Sequence, residues 1–136
     1  MLVVLDSNVF FSALISPNGA PHSIYEGWRD GQFDLVTCAE QLDELRRASR
    51  YPKFKDILQP HRVGLMLNHL QRAKVFDRVP AKHTAKDPHD SYLLDLADFA
   101  KAHYLVTGDK RAGLIEMRRI GTARILTATA FCKMFS

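Results

Sequence analysis

The heptapeptide LVVLDSN, residues 2–8, decides the fold class because a short apolar run ends abruptly at a carboxylate. Its first four residues show no alternation of apolar and polar side chains, which predicts a strand buried on both faces. Asp6 follows at once, and Ser7 or Asn8 is then predicted to cap a helix over Val9–Ile15. A buried strand that leads directly into a helix is typical of parallel α/β sheets.

The remaining chain repeats this alternation of short strands and helices. Further strands are predicted at Phe33–Thr37, Val75–Phe76, Tyr104–Thr107 and Arg124–Leu126. Further helices are predicted from Pro21 to the Asp30-Gly31 stop, over Ala39–Ser49, within Phe54–Ala73, over Ser91–Ala102 and over Ala128–Phe135, with a short one after Gly108-Asp109. We therefore expect a single α/β domain over residues 1–136, with three α/β/α layers around a mainly parallel sheet.

Composition places the chain among ordinary globular proteins. Of its 136 residues, 46% are hydrophobic and 25% are charged, which argues against a disordered chain. No apolar run approaches the roughly 20 residues of a membrane span, and the N-terminus lacks the basic region of a signal peptide. Cys38 and Cys132 lie far apart without Cys-x-x-Cys spacing, which argues against a zinc ribbon and a disulfide framework. A cytoplasmic location is the expectation.

The net charge leaves the class of partner open. The formal charge is +4 and the sequence pI is near 9.2. A mildly basic surface suits a polyanion such as nucleic acid, and it is equally compatible with an ordinary soluble protein.

Acidic residues follow the predicted strands. Asp6 follows the first strand, Asp109 follows a later one, and Glu44 lies in the helix after the second strand. Asp87 and Asp90 flank the start of a long helix. Because ligands of open parallel sheets bind beyond the carboxyl ends of the strands, we expect these side chains to converge at one edge.

A convergence of carboxylates predicts a divalent cation. Two carboxylates about 4 Å apart repel by roughly 4 kcal/mol at an effective dielectric near 20. Oxygen ligands favour Mg²⁺ or Mn²⁺ over Zn²⁺, and such an ion supports hydrolysis of phosphodiesters. Each acid also has a structural interpretation: Asp6, Asp87 and Asp90 as helix caps, Glu44 as part of a solvated helix face, and Asp109 as a turn residue.

Four motifs, in this order and spacing, resemble the PIN domain family. They are Leu5-Asp6-Ser7-Asn8, Leu42-Asp43-Glu44-Leu45, Asp87-Pro88-His89-Asp90 followed by Leu94 and Ala97, and Leu105-Val106-Thr107-Gly108-Asp109. Two further segments are similar to sequences of the bacterial toxin–antitoxin (VapC-like) branch of that family. They are Arg50 to Phe54 and the closing Ile125-Leu126-Thr127 with Phe131. The segment Lys110 to Gly113 departs from that pattern.

The resemblance assigns roles to individual residues. It implies catalytic acids at Asp6, Glu44, Asp90 and Asp109, and metal ligands at Asp6, Asp87, Asp90 and Asp109. Between Asp87 and Asp90 the spacing to Ala97 favours Asp90 as the direct ligand. Asn8 and Thr107 correspond to polar residues that orient the acids.

The same resemblance implies an activity and partners. It implies a Mg²⁺- or Mn²⁺-dependent endoribonuclease that hydrolyses single-stranded RNA, the toxin of a toxin–antitoxin pair silenced by an antitoxin protein, and a homodimer or higher homo-oligomer. Basic residues near the acids would hold the RNA backbone: Arg46, Arg47, Arg50, Lys110 and Arg111, with Lys53 and Lys55 as further candidates.

Three other interpretations compete with this one. A haloacid dehalogenase phosphatase would need a second Asp at the position of Asn8, and a receiver domain would need paired acids after the first strand. The third is a non-catalytic module of the same fold that binds RNA or an antitoxin.

Overall fold

A six-stranded sheet forms the middle layer of the molecule. The computed structural model describes residues 1–54, 56–108 and 112–134, without the side chains of Ser49 and Ala112. The strands are β1 (Leu2–Leu5), β2 (Asp34–Cys38), β3 (Lys74–Phe76), β4 (Tyr104–Thr107), β5 (Arg119–Ile120) and β6 (Ala123–Thr127). Their order is β3-β2-β1-β4-β6-β5, and all neighbours are parallel except β5 and β6.

Helices cover both faces of this sheet. They are α1 (Ser7–Ile15), α2 (Ala20–Arg29), α3 (Ala39–Arg47), α4 (Pro60–Leu70), α5 (Ser91–Phe99), α6 (Ala112–Ile115) and α7 (Ala128–Lys133), with 3-10 turns at Ala48–Arg50 and Pro88–Asp90. Val3 and Leu5 face a core shared with α1 to α4 and α7, whereas Val4 faces a second core with α5. The predicted three-layer α/β architecture is confirmed.

The strand β1 lies at the centre, as its apolar run predicts. Val3 and Val4 are fully buried and Leu5 is 1% exposed. Val4 pairs with Val36 on one side and Leu105 on the other, both in parallel register. A strand with neighbours on both sides and helices on both faces disfavours a charged side chain, and the first carboxylate comes directly after it.

Several predicted bounds were wrong at helix ends. Helix α1 begins at Ser7 and its cap is Asp6, because the Asp6 carboxylate accepts the backbone N–H of Asn8. Helix α5 ends at Phe99 rather than at residue 102, since Lys101 adopts a left-handed φ of 53°. Within the described residues no helix has the length and apolar character needed to cross a membrane.

The structure differs from the prediction in two other places, where few residues mark the start or end of an element. Helix α3 ends at Arg47 and continues as the 3-10 turn, and α4 begins only at Pro60, whose fixed φ suits a first helical position. Strand β5 was not predicted, because two residues carry too little periodicity to be recognised. Gly121 joins β5 to β6 at a φ of 57° and abuts the Asp98 carboxylate, so a side chain there would collide with α5.

Candidate active site

The carboxyl ends of β1 and β4 form the centre of the candidate site. From these two neighbours the strand order runs outward in opposite directions, to β2 and β3 on one side and β6 and β5 on the other. Such a switch point opens a crevice at the carboxyl ends of the strands. Asp6 is the first residue beyond β1, and its backbone N–H donates to the Val106 carbonyl at 2.8 Å.

Both oxygens of the Asp6 carboxylate accept hydrogen bonds from the backbone and side chains around it. Oδ1 accepts the backbone N–H of Asn8 at 3.1 Å, and Oδ2 accepts the Thr107 hydroxyl at 2.9 Å. Asp6 is 2% exposed and Thr107 is fully buried. Asp6 is therefore a helix cap and a candidate site residue at once. Thr107 orients it through its hydroxyl, whereas Asn8 does so only through its backbone.

Glu44 lies in α3 within electrostatic reach of two other acids. Burial raises its pKa above the ordinary value, and the charges of Asp6 and Asp90 raise it further. A hydrogen bond from Ser7 lowers the pKa of Glu44, and the charge of Glu40 raises it. Because the charges of Asp6 and Asp90 act on Glu44 in this way, the fold has brought these acids near it.

A buried polar network places the Ser7 hydroxyl beside Glu44. The Gln41 side-chain amide donates to the Leu5 carbonyl at 2.6 Å and to Ser7 Oγ at 3.3 Å. The Thr37 hydroxyl donates to Gln41 Oε1 at 2.6 Å, which fixes the orientation of the amide. Ser7 is thus held by a side chain that is itself fully buried and hydrogen-bonded.

Tyr92 completes this network from α5. Its hydroxyl lies 2.9 Å from Ser7 Oγ. Burial, followed by the charge of Glu44, raises the pKa of Tyr92, so the phenol keeps its proton. Either hydroxyl can donate in this contact, since each has one proton and can also accept.

Sequence reasoning missed most of this network. Ser7 was considered only as a helix cap, and Thr37, Gln41 and Tyr92 were not considered. One signal was available, because Gln41 precedes Glu44 by three residues and therefore shares its helix face. A Gln on the inward face of an amphipathic helix indicates a buried hydrogen-bonding partner.

Asp87 and Asp90 occupy different environments. Asp90 is 8% exposed at the end of the Pro88–Asp90 turn, and its charge acts on Glu44. Asp87 is exposed, and its Oδ1 caps the same turn by accepting the His89 N–H at 3.0 Å. The structure therefore groups Asp90, rather than Asp87, with Asp6 and Glu44. Their metal-binding roles remain predictions.

Some predicted residues cannot be placed. Asp109, Lys110 and Arg111 lie outside the described residues, as does Lys55. Of the other basic candidates, Arg46 contacts Asp43 at 2.7 Å with both side chains more than half exposed, a pairing that contributes little stability. Arg47 and Arg50 are exposed, and an RNA contact remains a prediction for all of them.

The donor chemistry of the described acids suits a hard divalent cation. Asp6, Glu44 and Asp90 offer carboxylate oxygens and repel one another, and a bound cation would relieve that repulsion. Over residues 1–54, 56–108 and 112–134, however, no three His, Cys, Asp or Glu side chains are arranged to hold a metal ion. A complete ligand set would need a further group.

Comparisons with known proteins agree with this geometry. Residues 2–111 match the PIN domain family. An uncharacterized protein of Methanocaldococcus jannaschii is 30% identical over 118 residues, which cover 85% of this chain and 74% of that protein. No solved structure gives a significant match. The predicted family is confirmed: with this sheet and this family match, the chain belongs to the PIN domain family, whose fold is generally that of nucleases.

Proposed function

We propose that this protein is a metal-dependent endoribonuclease that hydrolyses phosphodiester bonds of single-stranded RNA. The observation that carries the proposal is the proximity of three acids: burial, and then the charges of Asp6 and Asp90, raise the pKa of Glu44. Membership of a family of nucleases supports the same reaction class.

Asp6, Asp90 and Asp109 would hold Mg²⁺ or Mn²⁺, with Asp87 as a further candidate ligand. When bound, such an ion polarises a phosphoryl oxygen and lowers the pKa of a water molecule. The ion would also neutralise the repulsion among the acids, which is the physical reason for this arrangement to persist in a folded protein.

The chain's own groups would orient the acids and accept a proton. Thr107 and the Asn8 backbone fix both oxygens of Asp6, so this carboxylate is oriented before any ligand arrives. Ser7 holds Glu44, whose raised pKa makes it a better acceptor for the proton of an attacking water than an ordinary glutamate. Exposed Arg47 and Arg50 would contact RNA phosphates, and such contacts weaken as salt is added.

The direct test is cleavage of a labelled single-stranded RNA by the purified protein with Mn²⁺ and with EDTA. Asp6→Asn and Asp109→Asn should each abolish cleavage. Asp43→Asn, which removes an exposed acid of α3, is the matched control and should leave cleavage unchanged. Cleavage that survives EDTA, or both site substitutions, contradicts the proposal.

A second candidate is a non-catalytic module that binds RNA or an antitoxin peptide. In such a module the same fold would bind its partner at a site without turnover. Calorimetric titration with Mn²⁺ separates the two functions. Saturable binding that is lost in Asp6→Asn supports the enzyme, whereas RNA binding without Mn²⁺ binding supports the module.

We further propose that the protein is the cytoplasmic toxin of a toxin–antitoxin pair and acts as a homodimer. The support is the resemblance of its motifs to that branch of PIN proteins. Co-expression with the product of the adjacent reading frame tests the pairing: a tight complex that loses RNA cleavage supports it. Light scattering of the purified chain tests the dimer.

A further inference from the structure

A small cationic cavity lies at the opposite edge of the sheet from Asp6. It encloses about 110 Å³ and is lined by Trp28, Arg29, His69 and Arg72. Trp28 and Arg29 end α2, and His69 and Arg72 lie at the end of α4 and just beyond it. These two helices lead into β2 and β3. The cavity is therefore near the amino ends of the strands, whereas the acids lie beyond the carboxyl ends.

Two exposed arginines, one from the end of α2 and one from the segment after α4, meet at this cavity. After burial, the positive charges of Arg29 and then Arg72 are the strongest influences that lower the pKa of His69, so both guanidinium groups lie near its ring. Across the described part of the chain, neither arginine forms an ion pair. Two such guanidinium groups offer donors that match the geometry of a phosphate.

One tautomer of His69 offers an N–H to a ligand. The Tyr25 hydroxyl lies 2.6 Å from His69 Nδ1, and which of the two atoms donates depends on the tautomer of the ring. Burial raises the pKa of Tyr25 to about 12 and lowers the pKa of His69, so the phenol is protonated and the ring is neutral at neutral pH. With the ring proton on Nε2, Tyr25 donates to Nδ1 and the Nε2 proton is left for a ligand.

The remaining surroundings do not cancel the positive charge. Glu26 raises the pKa of both Tyr25 and His69, but on each group the charge of Arg29 has the stronger influence. Trp28 is 9% exposed and its ring centroid lies 5.7 Å from that of Tyr25, so the indole forms a rigid wall. The two arginines and the indole offer only N–H donors to the cavity.

We propose that this cavity binds a phosphate group through Arg29, Arg72 and the Nε2 proton of His69. Its volume of about 110 Å³ is well above the roughly 10–15 Å³ that a single water needs, so it has room for a group larger than water. The phosphate could be a free ion, part of a nucleotide or the end of an RNA strand. The site is separate from the acidic crevice and does not depend on nuclease activity.

Titration of the full-length protein with inorganic phosphate, followed by ³¹P NMR and calorimetry, tests the proposal. The titration is done in EDTA at constant ionic strength. We expect saturable binding that Arg29→Gln and Arg72→Gln each weaken by about tenfold, because each removes a charge-assisted hydrogen bond. Arg78→Gln removes an exposed arginine after β3 and should have no effect, and neither should Asp6→Asn.

A second measurement follows the His69 ring directly. ¹⁵N NMR should show the Nε2-protonated form in the wild type, and phosphate should shift the Nε2 resonance. Parallel titrations with a nucleoside monophosphate, a 5′-phosphorylated oligoribonucleotide and its 5′-hydroxyl counterpart distinguish the sources of the phosphate. Binding that does not saturate, or that Arg78→Gln weakens as much as Arg29→Gln, overturns the proposal whether or not the protein cleaves RNA.

Discussion

Replacing Thr107 with valine removes one hydrogen bond from the buried carboxylate and changes little else. Thr107 is fully buried, Asp6 is 2% exposed, and the hydroxyl lies 2.9 Å from Oδ2. Hydrogen bonds to charged groups contribute about 1.5–3 kcal/mol, and valine has nearly the shape of threonine, so no cavity forms. We expect Thr107→Val to lower the free energy of unfolding by about 1.5–3 kcal/mol.

Urea denaturation measures this loss, with the midpoint lowered and the slope unchanged. Thr107→Ser is the matched control because it keeps the hydroxyl and loses one buried methyl group, at a cost of about 1 kcal/mol. In an Asp6→Asn background the same Thr107→Val change should cost only about 0.5–1.5 kcal/mol, since the acceptor is neutral.

Two outcomes would refute this reasoning. One is a valine variant as stable as the wild type, which would mean that the hydroxyl contributes nothing. The other is an equal cost of Thr107→Val with and without the Asp6 charge, because a double-mutant cycle without coupling places the effect elsewhere.

Three further predictions follow from the described geometry. Glu44→Gln should raise the free energy of unfolding at neutral pH, because the pKa of Glu44 in the folded protein lies above its ordinary 4.5 and its ionisation is penalised only there. Urea denaturation should show that this gain in stability over the wild type disappears as the pH falls below 4.5. Asp90→Asn should reduce Mn²⁺-dependent RNA cleavage at least tenfold while Asp87→Asn has a small effect, and equal losses in a cleavage assay would contradict the grouping of Asp90 with Glu44. Gly121→Ala should lower the melting temperature more than Gly31→Ala. Both glycines have a positive φ, which costs an alanine about 1–2 kcal/mol, but only a side chain at Gly121 would also meet the Asp98 carboxylate. Equal losses of melting temperature would show that this contact relaxes without cost.

The central strands could be predicted because their signal is local and strong. Leu2–Leu5 is an uninterrupted apolar run and Tyr104–Thr107 is rich in β-branched and aromatic residues, and the structure has strands with these bounds. Helix ends were less predictable, since they depend on single contacts such as the Asp6 cap and on the φ of Lys101. The hairpin of β5 and β6 depends on tertiary packing against α5, which two residues of sequence do not reveal.

The site could be predicted in part for a similar reason. Asp6 follows a recognisable strand, so its place at the edge of the sheet follows from topology. The network of Ser7, Gln41 and Tyr92 joins three segments distant in sequence, and no spacing within the chain indicates such contacts. Whether Asp90 or Asp87 lies near Glu44 likewise depends on the conformation of the turn Pro88–Asp90, which precedes α5.

The two outermost strands of the sheet bear on how the protein avoids aggregation. Strand β3 has three residues and β5 has two, and β5 also runs against the direction of the rest. A long edge strand exposes a row of backbone groups on which another chain can polymerise, and very short edge strands are one way that proteins prevent this. Fibril-like growth by strand addition is therefore disfavoured, even though the middle strands are among the most apolar segments of the chain.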